Sequence, residues 1–302
     1  MISIRKYRFF QCGFIVLLLA VIGLVYANFD YLAFKLLIAG NYIFTDTLDE
    51  WYAQSLGAEN VQGYYRSFDD AVIAAVTEKI RSVGSEYGSD RYTFLYTPQK
   101  YKLSKDVEKA DAAAARLEAL SPRTVYMSLP NISHETKNFM LENKQTLVQY
   151  QNLILDLRDD YGGLLADFYK MAELFTPKGA VLGYEKTRLP FLSHAVKSSK
   201  QPYFHFDQVI ILQNGETASS AEGLILALKG NLDQVTLIGA KTFGKGIGQV
   251  TTPLKGGFAV KATVLLVSGP GDQSIHKIGI KPDISYEASD IIEFARQYAE
   301  NE

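Results

Sequence analysis

One cysteine, Cys12, stands in the 302 residues. That excludes an internal disulfide framework and any metal site built from several thiolates. Histidine is scarce as well. His134, His194, His205 and His276 are scattered, and no two stand at the i, i+4 spacing that puts two ligands on one helix face. No metal or cofactor site is therefore expected. Neither sign of charge is in excess: 31 basic and 33 acidic residues leave a net charge of -2. The basic surplus of a nucleic-acid binder is missing. Charged residues make up 21% and hydrophobic ones 47%, the balance of a globular chain rather than a disordered or collagen-like one. Long apolar runs are missing beyond the N-terminal region, which excludes a polytopic membrane protein. The length suits one large or two modest domains.

What is present begins with that N-terminal region. Arg5, Lys6 and Arg8 precede an apolar stretch from Phe9 to Ala27, interrupted by Gln11 and glycines. As a helix it would rise roughly 28 Å, about the thickness of a hydrocarbon core. Residues 1–28 thus predict a single-pass membrane anchor, with the basic flank in the cytoplasm and the remainder outside. A signal peptide is the competing reading, with Val25-Tyr26-Ala27 as its cleavage site. The continuing apolar segment Phe29 to Ile38 favours the uncleaved anchor.

Residues 45–120 predict a helical N-terminal region. Phe68 to Val83 carries apolar positions at helical spacing and opens with Asp69 and Asp70. Ser104 to Leu120 is charged and alanine-rich, which also predicts helix. From Ser121 the pattern changes, and residues 121–302 predict an α/β core. Strands are expected over Thr124–Leu129, Asn152–Leu157, Gln208–Leu212, Val235–Ile238 and Phe258–Val267. Helices are expected over Glu135–Tyr150, Leu164–Phe175, Ala221–Lys229 and Asp290–Ala299. Strands alternating with helices make the fold class α/β (α+β), a mixed sheet with flanking helices.

Three segments could carry chemistry. Asp156 to Gly163 (DLRDDYGG) closes a buried strand with paired glycines that can expose backbone N–H groups; it also reads as a plain strand-to-helix turn. Asn214 to Glu222 (NGETASSAE) puts Ser219 and Ser220 at the start of a helix. There the dipole favours negative charge and a serine could act as nucleophile, although serine is equally an ordinary helix cap. Lys241 to Gln249 (KTFGKGIGQ) sets Lys245 between two glycines, so that its backbone can approach another segment closely. It is either a general base or a solvated loop lysine. Gly239 to Lys245 also fits the phosphate-loop spacing GxxxxGK. The next residue is Gly246, which lacks the hydroxyl that holds Mg²⁺, so nucleotide hydrolysis is the weaker alternative.

Together, and in this order, the three segments resemble the S41 peptidases, the tail-specific or C-terminal processing proteases. Their patterns are DLRxNxGG, SASASE and TFGKGxxQ. Gly279-Ile280-Lys281-Pro282-Asp283-Ile284 after Pro270-Gly271 is similar to the family's later PxG…GIxPDI. Asp90-Arg91-Tyr92-Thr93-Phe94-Leu95 is similar to its earlier DPYTxYL, with Arg91 in place of proline. The resemblance implies a serine endopeptidase with a Ser–Lys dyad and no cofactor. Ser219 would be the nucleophile, with Ser220 as the alternative, Lys245 the base, and Gln249 the residue that orients Lys245. The oxyanion donors would be the N–H of Ser220 and one in Gly162-Gly163. It further implies an extended polypeptide substrate and a bacterial, extracytoplasmic location.

The chain departs from the pattern in three places. Asp160 replaces asparagine, and a carboxylate there is expected to raise the pKa of Lys245. Ser220 and Ala221 invert the family's alanine and serine. The family's usual PDZ domain is not expected, because only about 20 residues separate Tyr101 from Thr124, whereas such a domain needs roughly 80 or more. A non-catalytic, peptide-binding relative on the same scaffold is the second function class.

Overall fold

The computed structural model describes residues 4–27, 29–44, 90–104 and 114–301. The helix expected over Phe68–Val83 lies outside them. The chain divides into two compact units: Met1–Tyr101 with Gln249–Thr263, and Lys102–Gly248 with Val264–Glu302.

In the smaller unit, helix α1 (Ile4–Ala27) leaves its side chains exposed from Cys12 to Ala27. No single helix among the described residues is long and apolar enough to cross a membrane. Gln11–Ala27 and Leu32–Ile38 reach that length and composition only together, bent by 70°. At 1.5 Å per residue Gln11–Ala27 rises about 25 Å, short of a core of about 30 Å. Helix α2 (Phe29–Asn41) buries Phe34, Leu37 and Ile38, and Tyr42 and Phe44 follow them into the interior. Strand β1 (Phe94–Tyr96) is preceded by a tight polar knot. Buried Asp90 accepts from the Thr93 hydroxyl (2.6 Å) and the Tyr92 N–H (3.0 Å). Burial, and the Asp90 carboxylate beside it, push the Tyr42 phenol far above its usual value.

The larger unit is built on a six-stranded sheet. Its first strand, β2 (Arg116–Ala119), corrects the end of the helix expected over Ser104–Leu120, of which residues 105–113 lie outside the described residues. It is the edge strand, pairing antiparallel with β3 (Thr124–Ser128). Sheet pairing outweighs the helix propensity of that segment. The helix expected over Glu135–Tyr150 breaks at Asn143 into α3 (His134–Glu142) and α4 (Lys144–Leu147). Strand β4 (Asn152–Asp156) is buried throughout. Helix α5 (Leu165–Ala172) precedes a hairpin of β5 (Val181–Thr187) and β6 (His194–Lys197), which has no counterpart among the expected strands. Strand β7 (Gln208–Gln213), helix α6 (Ser220–Lys229) and strand β8 (Val235–Gly239) fall where the sequence put them.

Strands β9 (Ile247–Pro253) and β10 (Ala259–Ser268) contribute to both units. The first half of β10 pairs with β1 in the smaller unit, and its second half with β5 in the larger. Strand β11 (Ile284–Ser285) and helix α7 (Ile291–Asn301) close the chain. The large sheet runs β11-β8-β7-β4-β3-β2, parallel except at β2.

Alternation along the strands divides the core. Leu153, Leu155, Val209, Ile211 and Leu237 face α5 and α6. Ile154, Ile210, Leu212 and Ile238 face Ile291, Ala295 and Ala299, the apolar stripe of α7. Burial on both faces explains why β4 and β7 read as unbroken apolar runs. It also aligns the carboxyl ends of β4, β7 and β8, from which the three motif segments depart, on one edge of the sheet.

Candidate active site

The turn after β4 is pinned by its own first residue. The Asp156 carboxylate accepts from Arg158 Nε (2.9 Å), the Arg158 N–H (3.0 Å) and the Tyr126 hydroxyl (2.8 Å). Burial and this carboxylate push the Tyr126 phenol up to about 12. The turn is then stitched to the one after β7. The Thr217 hydroxyl donates to the Leu157 carbonyl (2.8 Å), Asn214 Nδ2 donates to Asp159 Oδ1 (2.9 Å), and the Ala218 N–H donates to the Asp160 carbonyl (2.9 Å).

Gly162 sits where this seam is tightest. Its φ is +91°, and a Cβ there would stand 2.7 Å from Ser219 Cβ and 2.8 Å from Ser220 N. Its N–H donates to Asp160 Oδ1 (2.7 Å), so Gly162 does not offer the free donor that the sequence allowed it. Its carbonyl accepts from the Ile132 N–H (3.1 Å). The peptide is trans, so the Gly163 N–H points away from Ile132. Among the described residues neither the Gly163 N–H nor the Ser220 N–H has a protein acceptor.

Ser219 caps α6 with φ 56° and ψ -119°, a conformation that side-chain-bearing residues rarely adopt. It is half-buried. Strained, partly exposed serines at strand-to-helix turns are a recurring setting for nucleophiles. Ser220, by contrast, is buried, and its hydroxyl donates to the Gly163 carbonyl (3.0 Å).

Lys245 follows β8 on a loop that packs as closely as its glycines suggested. A Cβ on Gly244 would stand 2.8 Å from Gly279 N, and one on Gly246 2.8 Å from His276 N. The chain then enters a strand, β9. A phosphate loop needs a helix N-terminus at that point, so the nucleotide-hydrolase alternative is overturned.

The residue that sequence reasoning passed over is Glu222. It is fully buried in α6. Its Oε2 accepts from the Ser219 N–H (2.9 Å) and the Lys245 N–H (2.8 Å); its Oε1 accepts from the Thr242 hydroxyl (2.5 Å) and the Gly244 N–H (2.8 Å). The signal was in the sequence: Ser219-Ser220-Ala221-Glu222 fits the S-x-x-E pattern of a helix capping box. Asp160 carries the other surprise. It is fully buried, its Oδ2 has no partner among the described residues, and desolvation pushes its carboxyl well above the usual range. Burial thus favours the neutral acid over the charge expected to act on Lys245. In the smaller unit, Gln249 Nε2 donates to the Tyr92 carbonyl (2.6 Å).

Parallel strands ending in a strained serine, a lysine loop and a glycine turn define a serine peptidase scaffold. The chain belongs to peptidase family S41, which matches residues 123–286. It is 33% identical over 183 residues to a probable CtpA-like serine protease of Staphylococcus epidermidis, covering 57% of this chain and 35% of that one. It is 29% identical over 247 residues to a carboxyl-terminal-processing protease of Synechocystis, covering 79% and 51%. The chain therefore spans between about a third and a half of the length of these relatives. Among solved structures, a lipoprotein from Streptococcus agalactiae shares the fold, with a TM-score of 0.67 at 18% identity, covering 91% of this chain and 96% of that one.

Proposed function

We propose that this protein is a serine endopeptidase that cleaves extended polypeptides with a Ser219–Lys245 dyad. The observation that carries the reading is that the backbone N–H groups of Ser219 and Lys245 share one acceptor, Glu222 Oε2. A nucleophile and a base must be held in register, and this carboxylate anchors both main chains. Ser219 Oγ attacks the scissile carbonyl while the neutral Lys245 amine takes its proton and then passes it to the leaving amine. The Gly163 and Ser220 N–H groups receive the oxyanion, strengthened by the N-terminus of α6. Gln249 is assigned to orienting Lys245. The names of the relatives support processing near carboxyl termini as the class of reaction. The basic and apolar N-terminal sequence supports attachment to a bacterial cell membrane, with the peptidase outside the cytoplasm.

The test is cleavage of an unfolded protein by the full chain in detergent, with wild type beside Ser219→Ala and Lys245→Ala. The full chain is needed because α2 buries side chains in the smaller unit. Both variants should lose activity by about 10⁴-fold or more, at unchanged melting temperature. Cleavage that survives in Ser219→Ala would overturn the assignment. A wild type that binds the unfolded protein without cleaving it would favour a peptide-binding relative.

A further inference from the structure

We infer that Asp160 is the positioning residue of the oxyanion site: by accepting the Gly162 N–H, it fixes the peptide that presents the Gly163 N–H beside the Ser220 N–H. The inference rests on the peptidase reading above.

Three observations support it. The Asp160 side chain holds the Gly162 N–H at 2.7 Å, while its main-chain carbonyl holds the Ala218 N–H at 2.9 Å. One residue therefore grips both turns that supply the oxyanion donors. The next peptide is set from its other end, where the Ile132 N–H binds the Gly162 carbonyl at 3.1 Å. Between these two holds the Gly163 N–H has a single direction. Gly162 also lies close against the second turn, where even a Cβ added to it would stand 2.7 Å from Ser219 Cβ and 2.8 Å from Ser220 N.

The choice of a carboxyl group is chemically consistent. An ionised carboxylate two residues from an oxyanion would oppose the developing charge. Complete burial, with one oxygen left unpartnered, favours the neutral acid, which keeps the acceptor oxygen without the charge. Asparagine presents the same acceptor oxygen, and alanine presents none.

The experiment compares full-length wild type, Asp160→Asn and Asp160→Ala by kcat and KM on an unfolded-peptide substrate, with melting curves for each. Expected are a kcat within about threefold of wild type for Asp160→Asn, and a loss of about 10²-fold for Asp160→Ala with little change in KM. Rescue by asparagine separates positioning from mere folding. A fully active Asp160→Ala overturns the inference and leaves the peptidase reading intact. If Asp160→Ala melts below the assay temperature, Asp160→Asn decides: a loss beyond tenfold with no fall in melting temperature overturns the inference. A wild type that neither cleaves nor reacts at Ser219 with a serine-directed phosphonate fails the peptidase reading itself, and this inference with it.

Discussion

The Ser220 hydroxyl donates to the Gly163 carbonyl at 3.0 Å, so the serine beside the proposed nucleophile ties its helix to the glycine turn. This bond and its burial suit Ser220 to a structural role, distinct from the one proposed for Ser219. Ser220→Ala should therefore keep kcat within about tenfold of wild type. It should lower stability by about 0.5–1.5 kcal/mol, the usual worth of one such bond. Parallel kinetics and denaturant unfolding check both. Loss of all cleavage in Ser220→Ala, with Ser219→Ala active, would move the nucleophile by one position.

Gly162→Ala tests the close approach of the two turns. The new methyl would meet the Ala218 carbonyl oxygen at 2.6 Å and Ser219 Cβ at 2.7 Å, at a φ of +91°. Stability should fall by at least about 1–3 kcal/mol from backbone strain alone. Proteolysis should fall with it, because relief of the clash displaces Ser219. A variant with wild-type kcat would show that the turns are further apart than described.

Asp160 gives a pH prediction with a definite sign. Its folded-state pKa is raised, so between the unfolded value and the folded one the native chain holds a proton that the unfolded chain has released. Stability from this group is complete below the unfolded pKa, near 3.8, and is lost as pH rises through the folded pKa. Asparagine does not titrate. Asp160→Asn should therefore melt higher than wild type at neutral pH, and the gap should close in acid. Melting temperatures from pH 4 to 8 provide the check. A constant gap would mean that Asp160 titrates normally.

Away from the site, Lys137 and Asp167 form an ion pair at 2.7 Å, with side chains only 8% and 6% exposed. Lys137 Nζ also lies 2.7 Å from His134 Nδ1. Asp167→Ala leaves the ammonium buried without its counter-charge, which should cost about 3–5 kcal/mol. Replacing both members with apolar residues of similar size should recover most of that loss. Chemical denaturation of the single and double variants distinguishes the two outcomes.

The sequence was most legible where one physical rule acted alone. The stripe Ile291, Ala295, Ala299 made α7 visible, and burial on both faces made β4 and β7 visible. It was least legible where partners remote in sequence decide the structure. Strand β5 alternates imperfectly around Gly183, and its identity depends on pairing with β6 and β10. Arg116–Ala119 sits in an alanine-rich, helix-favouring stretch, and only β3 makes it a strand. At the site, the order of the three motifs identified Ser219 and Lys245 as candidates. The full burial of Asp160 gave no local signal, because a charged residue after a strand looks like an exposed turn.

Glu222 carries a consequence for how the site tolerates motion. Ser219 and Lys245 belong to different loops, twenty-six positions apart in the chain, and loops drift. Both are referenced to one oxygen on a buried helix. A shift of that helix carries the two backbones along together, so their separation changes less than either position does. The arrangement works as a common datum does in a machined part, where errors shared by two features cancel in the distance between them. For the proposed dyad, this shared reference favours a constant spacing of the two main chains when the helix shifts.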